Sequence, residues 1–324
     1  MGAKIYQSPF PLILHLKFFK IFMQIPPYLQ PGDCIAITCP SGFISTDTVL
    51  AAKSQLETWG FKVVLGATFD QSDNYFSAPD ALRAQDLQRF LDDDSVHAIL
   101  MGRGGYGMSR IIDQLDFSKF VVNPKWICGF SDITVLHSHI QTNFGIATIH
   151  GPMCASFTAE NLSKDFLKAV KSLLMGEHCT YPVPHSEHNI PGSASGILIG
   201  GNLAMLAHLT GSPSQMNARG KILFLEDIGE HLYNIDRMLY NLKRSGAFEG
   251  IIGVICGGFT DNQDTTRPFG QSIYEILLHH FKDLGIPIIF DFPAGHIDEN
   301  FPICLGNCYN MLVSEGKSSV NTLC

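Results

Sequence analysis

Basic charge is scarce in this chain: 22 lysines and arginines stand against 30 acids in 324 residues, a formal net charge of −8. There is no basic run to neutralise a row of phosphates, which argues against a nucleic-acid partner. Metal-ligand spacing is also missing. The nine cysteines are scattered. Cys34 with Cys39 and Cys304 with Cys308 are the close pairs, and no histidine or cysteine pair completes either into a zinc pattern. Reduced, mostly buried thiols of a cytosolic protein fit this usage. No uninterrupted apolar run is long enough for a membrane. Residues 10–22 are the apolar candidate, but His15, Lys17 and Lys20 break the run, and a span needs about 20 apolar residues. That stretch also lacks the basic, apolar and small-residue order of a cleaved leader. Because Met23 opens MQIPPYLQPGD, residues 1–22 read as an appended extension or a mis-assigned start. No GKS or GKT follows a glycine loop, which excludes a Walker loop.

What the chain does have is core and glycine. A hydrophobic fraction of 45% with 16% charged residues describes a globular protein, and its length suggests two domains at ~150 residues each. Thirty glycines suit many tight turns between strands and helices. Strand-like apolar runs at 34–38, 61–65, 96–101, 126–128 and 146–149 alternate with helical spacing. The helices are expected at 46–59, after Ser77 and Pro79, around 111–115, from 133 and over 162–174. That alternation predicts an α/β domain at 23–175 with a parallel sheet covered on both faces. Residues 176–195, rich in proline and histidine and without a period, read as a linker. Strands at 196–199, 222–225, 251–255, 286–290 and 309–313, with helices at 203–209 and 232–243, predict a more strand-rich second domain at 196–324.

Four stretches carry residues with chemical use. In WICGFSDITVLHSH (126–139), Ser131 falls at a turn between a strand and a helix. There a hydroxyl is pushed out beside the free N–H groups of a helix start. On this stretch alone a plain N-cap at Ser131 or Asp132 is the favoured reading, since capping serines far outnumber nucleophilic ones. GRGGYG (102–107) follows the third strand rather than the first, which is poor context for a dinucleotide fingerprint; its glycines fit an oxyanion or carboxylate, or a simple tight turn. Glu226 ends ILFLED at the carboxyl end of a strand, where α/β sheets bind ligands, although it or Asp227 could be a capping acid. His296 lies in the loop DFPAGHIDEN. His150, in IHGPM, offers no clearer case. A serine, an acid and a histidine make a possible nucleophilic triad, but spacing alone does not bring them together.

The ordered set RGGYG (103–107), GFSDIT (129–134), IHGPM (149–153), GGNLAML (200–206), LED (225–227), NIDRML (234–239) and GH (295–296) closely resembles the LD-carboxypeptidases. These are serine peptidases that remove the terminal D-alanine from murein tetrapeptides in cell-wall recycling. The likeness runs from about residue 25 to 313. It implies a flavodoxin-like parallel-sheet N-terminal domain, a smaller β-rich C-terminal domain, and a triad at their junction. By motif, Ser131 is the nucleophile, Glu226 the orienting acid and His296 the general base. The backbone N–H of Asp132 and one of Gly104 or Gly105 form the oxyanion hole. Ser131 and His296 are then expected near hydrogen-bond reach, and Asp227 should matter less than Glu226. No metal or cofactor is implied, and the protein would be a cytoplasmic homodimer. The serine turn is GFSD rather than GxSxG, so the elbow rules of α/β-hydrolases do not carry over. Two alternatives remain open. Microcin-resistance relatives also resemble the chain and cleave an amide in a peptidyl-nucleotide. A non-catalytic α/β protein could instead bind a small peptide or nucleotide through GRGGYG.

Overall fold

The computed structural model describes residues 23–323 apart from 72 and 315, so the expectation for residues 1–22 lies outside it. Strands β1 (Cys34–Thr38), β2 (Lys62–Leu65), β3 (Val96–Met101), β4 (Trp126–Gly129) and β5 (Thr148–His150) lie parallel in the order β2-β1-β3-β4-β5. This is the flavodoxin-like winding that the motifs implied. β1, β3 and β4 are buried along almost their whole length, as strands covered on both faces must be. The cover comes from α1 (Thr46–Thr58), α2 (Asp80–Asp92), α3 (Met108–Ile111), α4 (Ser118–Val122), α5 (Thr134–Phe144) and α6 (Asp165–Leu174).

Local chemistry sets these helices. Ser45 caps α1 by accepting from Thr48 N at 3.4 Å. Its inward residues, Val49, Ala52 and Leu56, recur at helical spacing. α2 departs from an apolar stripe. Leu82 is only half-buried, whereas Arg83 and Asp86 turn inward with Leu87, Phe90 and Leu91. The reason is local: the loops at the carboxyl ends of β1 and β3 present backbone carbonyls and hydroxyls that need polar partners. The helix expected around 111–115 begins earlier, at Met108, and passes into a 3₁₀ turn at Ile112–Gln114.

The second sheet is also parallel-rich. It comprises β6 (Gly192–Asn202), β7 (Ile222–Ile228), β8 (Gly253–Thr260) and β9 (Ile288–Ile289). α7 (Leu203–His208), α8 (Leu232–Arg244) and α9 (Ile273–Phe281) lie between these strands along the chain. β6 already starts within the stretch read as a linker. β10 (Ile303–Leu305) leaves this sheet and pairs antiparallel with β5 of the first one. β11 (Cys308–Ser314) and β12 (Lys317–Thr322) return and extend the second sheet antiparallel, giving β12-β11-β6-β7-β8-β9.

The two halves meet closely where β6 runs into α7. Gly201 has φ +139, and a Cβ there would lie 2.7 Å from Thr134 Oγ1 at the start of α5. The same hydroxyl oxygen accepts from Asn202 N at 3.1 Å. Gly201→Ala is therefore expected to lower stability by roughly 1–3 kcal/mol, through both clash and backbone strain. The urea midpoint reports it, and an unchanged midpoint would contradict this account of the junction.

Candidate active site

At the carboxyl end of β4 the chain passes from extended Phe130 (φ −149) to Ser131 at φ +63, then into a 3₁₀ turn, Ser131–Ile133, that opens α5. A left-handed non-glycine residue carries roughly 1–3 kcal/mol of strain and persists only where its surroundings enforce it. Here they do. The Asp132 side chain is buried, and its Oδ2 accepts from Ser41 Oγ at 2.6 Å and from Met108 N at 2.8 Å. Burial pushes the Asp132 pKa up, against the pull of these bonds. One carboxylate thus ties the serine turn to the β1–α1 loop and to the start of α3.

Buried Arg83 makes a second tie. Its Nε donates to Ala78 O at 2.9 Å and one terminal nitrogen donates to Gly107 O at 3.1 Å and to Pro40 O, while the other pairs with Asp80. The glycine loop is clamped by these bonds and by Gly42 N donating to Gly104 O at 2.9 Å. Gly104 lies against the serine: a Cβ there would be 2.8 Å from Ser131 Cβ and 3.0 Å from its Oγ. The N–H groups of Gly104 and Gly105 make no hydrogen bond among the described residues. Asp132, in the first turn after the strand, has no intrahelical acceptor for its own N–H.

Glu226 and His296 meet from the other half. Glu226 near the end of β7 is fully buried, and its Oε2 accepts from His296 Nδ1 at 2.6 Å and from His296 N at 3.2 Å. The approach requires glycine at 295, where φ is +105 and a Cβ would lie 2.7 Å from Glu226 Oε2. Burial alone would push the His296 pKa down. The hydrogen bond and charge of Glu226, with the charge of Asp227, outweigh it and hold the imidazole above its ordinary value. With Nδ1 committed to the acid, Nε2 is the nitrogen left for chemistry. The His296 ring lies 4.7 Å from the Phe130 ring, so the histidine stands beside the residue that precedes Ser131. Ser131 Oγ itself makes no hydrogen bond among the described residues. The structure therefore joins acid and histidine directly and brings serine and histidine into one neighbourhood.

Asp227 has a different job. Its Oδ1 accepts from Asn202 Nδ2 and Ile228 N, and its Oδ2 from Ala204 N, all at 2.9 Å, so it fastens the start of α7. Burial, with Glu226 alongside, pushes its pKa up to about 7. His150 is fully buried between Phe130 and Phe224, and its burial holds it neutral. Sequence reasoning missed the supporting polar set: Ser41, Arg83 and the Asp132 carboxylate. The one signal available was a polar pair, Arg83 and Asp86, at helical spacing within an otherwise apolar face.

With this geometry in view, comparison with known proteins is informative. The LD-carboxypeptidase N-terminal domain family matches residues 35–151, and the LD-carboxypeptidase C-terminal domain family matches residues 195–311. The probable murein peptide carboxypeptidase of Bacillus subtilis is 34% identical over 284 residues, covering 87% of this chain and 89% of that protein. Among solved structures, muramoyltetrapeptide carboxypeptidase from Oxalobacter formigenes has a TM-score of 0.81 at 28% identity, covering 89% of this chain and 98% of that one. An MccF-like protein from Bacillus anthracis has a TM-score of 0.79 at 26% identity, covering 93% and 99%.

The two neighbouring acids should respond differently to neutralisation. Asp227→Asn offers one acceptor oxygen to three donors and turns an NH₂ toward one of them, so stability should fall by about 1–3 kcal/mol. Glu226→Gln keeps an oxygen for both His296 donors and should unfold close to wild type. Urea denaturation of both variants checks this, and an Asp227→Asn midpoint at the wild-type value would refute the capping role.

Proposed function

The chain belongs to the LD-carboxypeptidase family of serine peptidases, and from that premise we propose that it releases the terminal D-alanine of murein tetrapeptide in cell-wall recycling. The observation that carries the proposal is the buried Glu226–His296 hydrogen bond beside a strained, half-buried Ser131. Ser131 Oγ attacks the carbonyl of the residue preceding D-alanine as His296 Nε2 takes its proton. The N–H of Asp132 and that of Gly104 or Gly105 stabilise the tetrahedral oxyanion, each worth roughly 3 kcal/mol in acyl transfer. Glu226 fixes the tautomer and stabilises the imidazolium. His296 then protonates the leaving amine, the C–N bond breaks, and D-alanine departs. Water, deprotonated by His296, cleaves the Ser131 ester and restores the enzyme. The chemistry uses side chains, backbone N–H groups and water.

The same proposal includes a cytoplasmic location and a homodimer. Among the described residues, eight cysteines are free thiols, as a reducing compartment permits, and no helix is long and apolar enough to cross a membrane. Light scattering tests the dimer. The likeness to an MccF-like protein supports a second reading, in which the same machinery cleaves a peptidyl-nucleotide amide.

Mass spectrometry of murein tetrapeptide after incubation should show tripeptide and D-alanine with wild type and neither with Ser131→Ala. A folded Ser131→Ala protein with undiminished release would remove the nucleophile. The pH profile of kcat/KM tests the histidine. A base must be neutral, so activity should fall as pH drops through a His296 pKa above the ordinary ~6.5. Glu226→Gln removes the charge that raises that pKa and leaves burial to lower it. Its acid limb should move to lower pH while kcat drops by roughly 10³- to 10⁴-fold. An acid limb unmoved by Glu226→Gln would separate the acid from the base.

A further inference from the structure

We propose that Arg103 is the receptor for the free α-carboxylate of the departing residue, and that it thereby restricts the enzyme to removing one residue from a C-terminus. This assignment rests on the carboxypeptidase reading above. When a single residue leaves, only its nitrogen and Cα separate its carboxylate carbon from the scissile carbonyl carbon. Bond lengths hold those two carbons roughly 3–4 Å apart. The receptor must therefore flank the oxyanion donors, within reach of one side chain rooted in those loops.

Five cations belong to these loops and to helices α1, α2 and α3, of which Lys53 pairs with Glu57 and Arg89 with Asp86. Arg83 is buried and saturated by Ala78, Pro40, Gly107 and Asp80. Arg110 is held by Asp80, with its Nε at 3.0 and 2.8 Å from the two carboxylate oxygens. Arg103, directly before Gly104, is exposed and has no carboxylate partner among the described residues. Its guanidinium is nevertheless placed. NH1 donates to Phe43 O at 3.1 Å, on the turn whose Gly42 N–H holds Gly104 O. Its other N–H donors have no partner among the described residues. A planar fork of donors matches a carboxylate in a way that a point charge does not.

Two further observations support the placement. Tyr75 is exposed, and its hydroxyl lies beside Gly105, 3.2 Å from where a Cβ would be, with no hydrogen bond of its own among the described residues. The glycine loop is thus flanked by a guanidinium and a phenol, both of them donors. Asp132, next to the serine, and Glu226, bound to His296, also add acidic groups to this site. An anionic leaving residue entering that field requires a compensating cation, and Arg103 is the one these loops offer.

The experiment compares murein tetrapeptide with the same peptide bearing a C-terminal D-alaninamide. Wild type should prefer the free acid. Arg103→Ala should lose roughly 10- to 100-fold in kcat/KM on the acid, mostly through KM, and should cleave the amide at the wild-type rate. Arg103→Lys should recover part of the preference. Labelling of Ser131 by a fluorophosphonate, which needs the serine and oxyanion hole but no carboxylate, should proceed at the wild-type rate in Arg103→Ala. Equal losses on acid and amide, or a preserved acid preference, would overturn the role of Arg103 while leaving the carboxypeptidase reading intact. No D-alanine release by wild type would overturn that reading, and this assignment with it.

Discussion

A carboxylate with no exposure depends on the donors brought to it, and among the described residues those serving Glu226 come from one residue, His296, through both backbone and ring. The segment carrying His296 must therefore be held in place, and its anchors show how. Gly295 N donates to buried Asn300 Oδ1 at 2.8 Å, and Phe301 N donates to Pro293 O at 2.8 Å, closing the loop on itself. A few residues later β10 joins the first sheet, with Ile303 opposite His150. The histidine is thus delivered to an acid of the second sheet by chain stitched into the first. Any shift of one sheet against the other would be felt at the Glu226–His296 bond.

The serine side is held by the opposite means, a network of polar groups rather than one short segment. Ser131 is left-handed without being glycine, and three strand ends keep it so: Ser41 after β1, Met108 after β3 and Asp132 after β4. Each buried polar member is costly alone and supported in company. Gly104 completes the arrangement by absence, since any side chain there would occupy the space of the serine hydroxyl.

Much of the fold was legible because α/β alternation repeats over many residues, and the strand order of the first sheet follows from parallel winding. β10 was not. Three residues, Ile303, Cys304 and Leu305, are too few to show a period, and their partner strand lies about 150 positions earlier along the chain. Ser131, Glu226 and His296 could be singled out by residue type at turns and strand ends, with motif order adding the rest. The inward turn of Arg83 left only its spacing with Asp86 as a signal, since its partners are carbonyls of three loops that meet only in the finished fold. Nor could spacing choose between Glu226 and Asp227.

That last choice has a simple structural basis. The pairing of β7 with β8 shifts register between Leu225 and Asp227, and at that irregularity the two adjacent acids serve different neighbours. Glu226 faces the histidine loop, where an imidazole makes its charge useful. Asp227 faces the start of α7, where Asn202 Nδ2 and Ala204 N join Ile228 N of its own strand in donating to it, but burial resists a full charge and its pKa rises to about 7. The sign follows: a carboxyl raised above its unfolded value of ~3.9 contributes most when protonated, and that contribution fades as pH climbs through about 7. The proposed role of His296 needs the reverse, since a base must lose its proton as pH rises. The charge of Asp227 also helps hold the imidazole pKa up. Ionisation of Asp227 therefore goes against its burial and the neighbouring Glu226 charge while it strengthens the histidine's hold on its proton, so the pH range that suits the fold and the range that suits the proposed base pull against each other through a single strand.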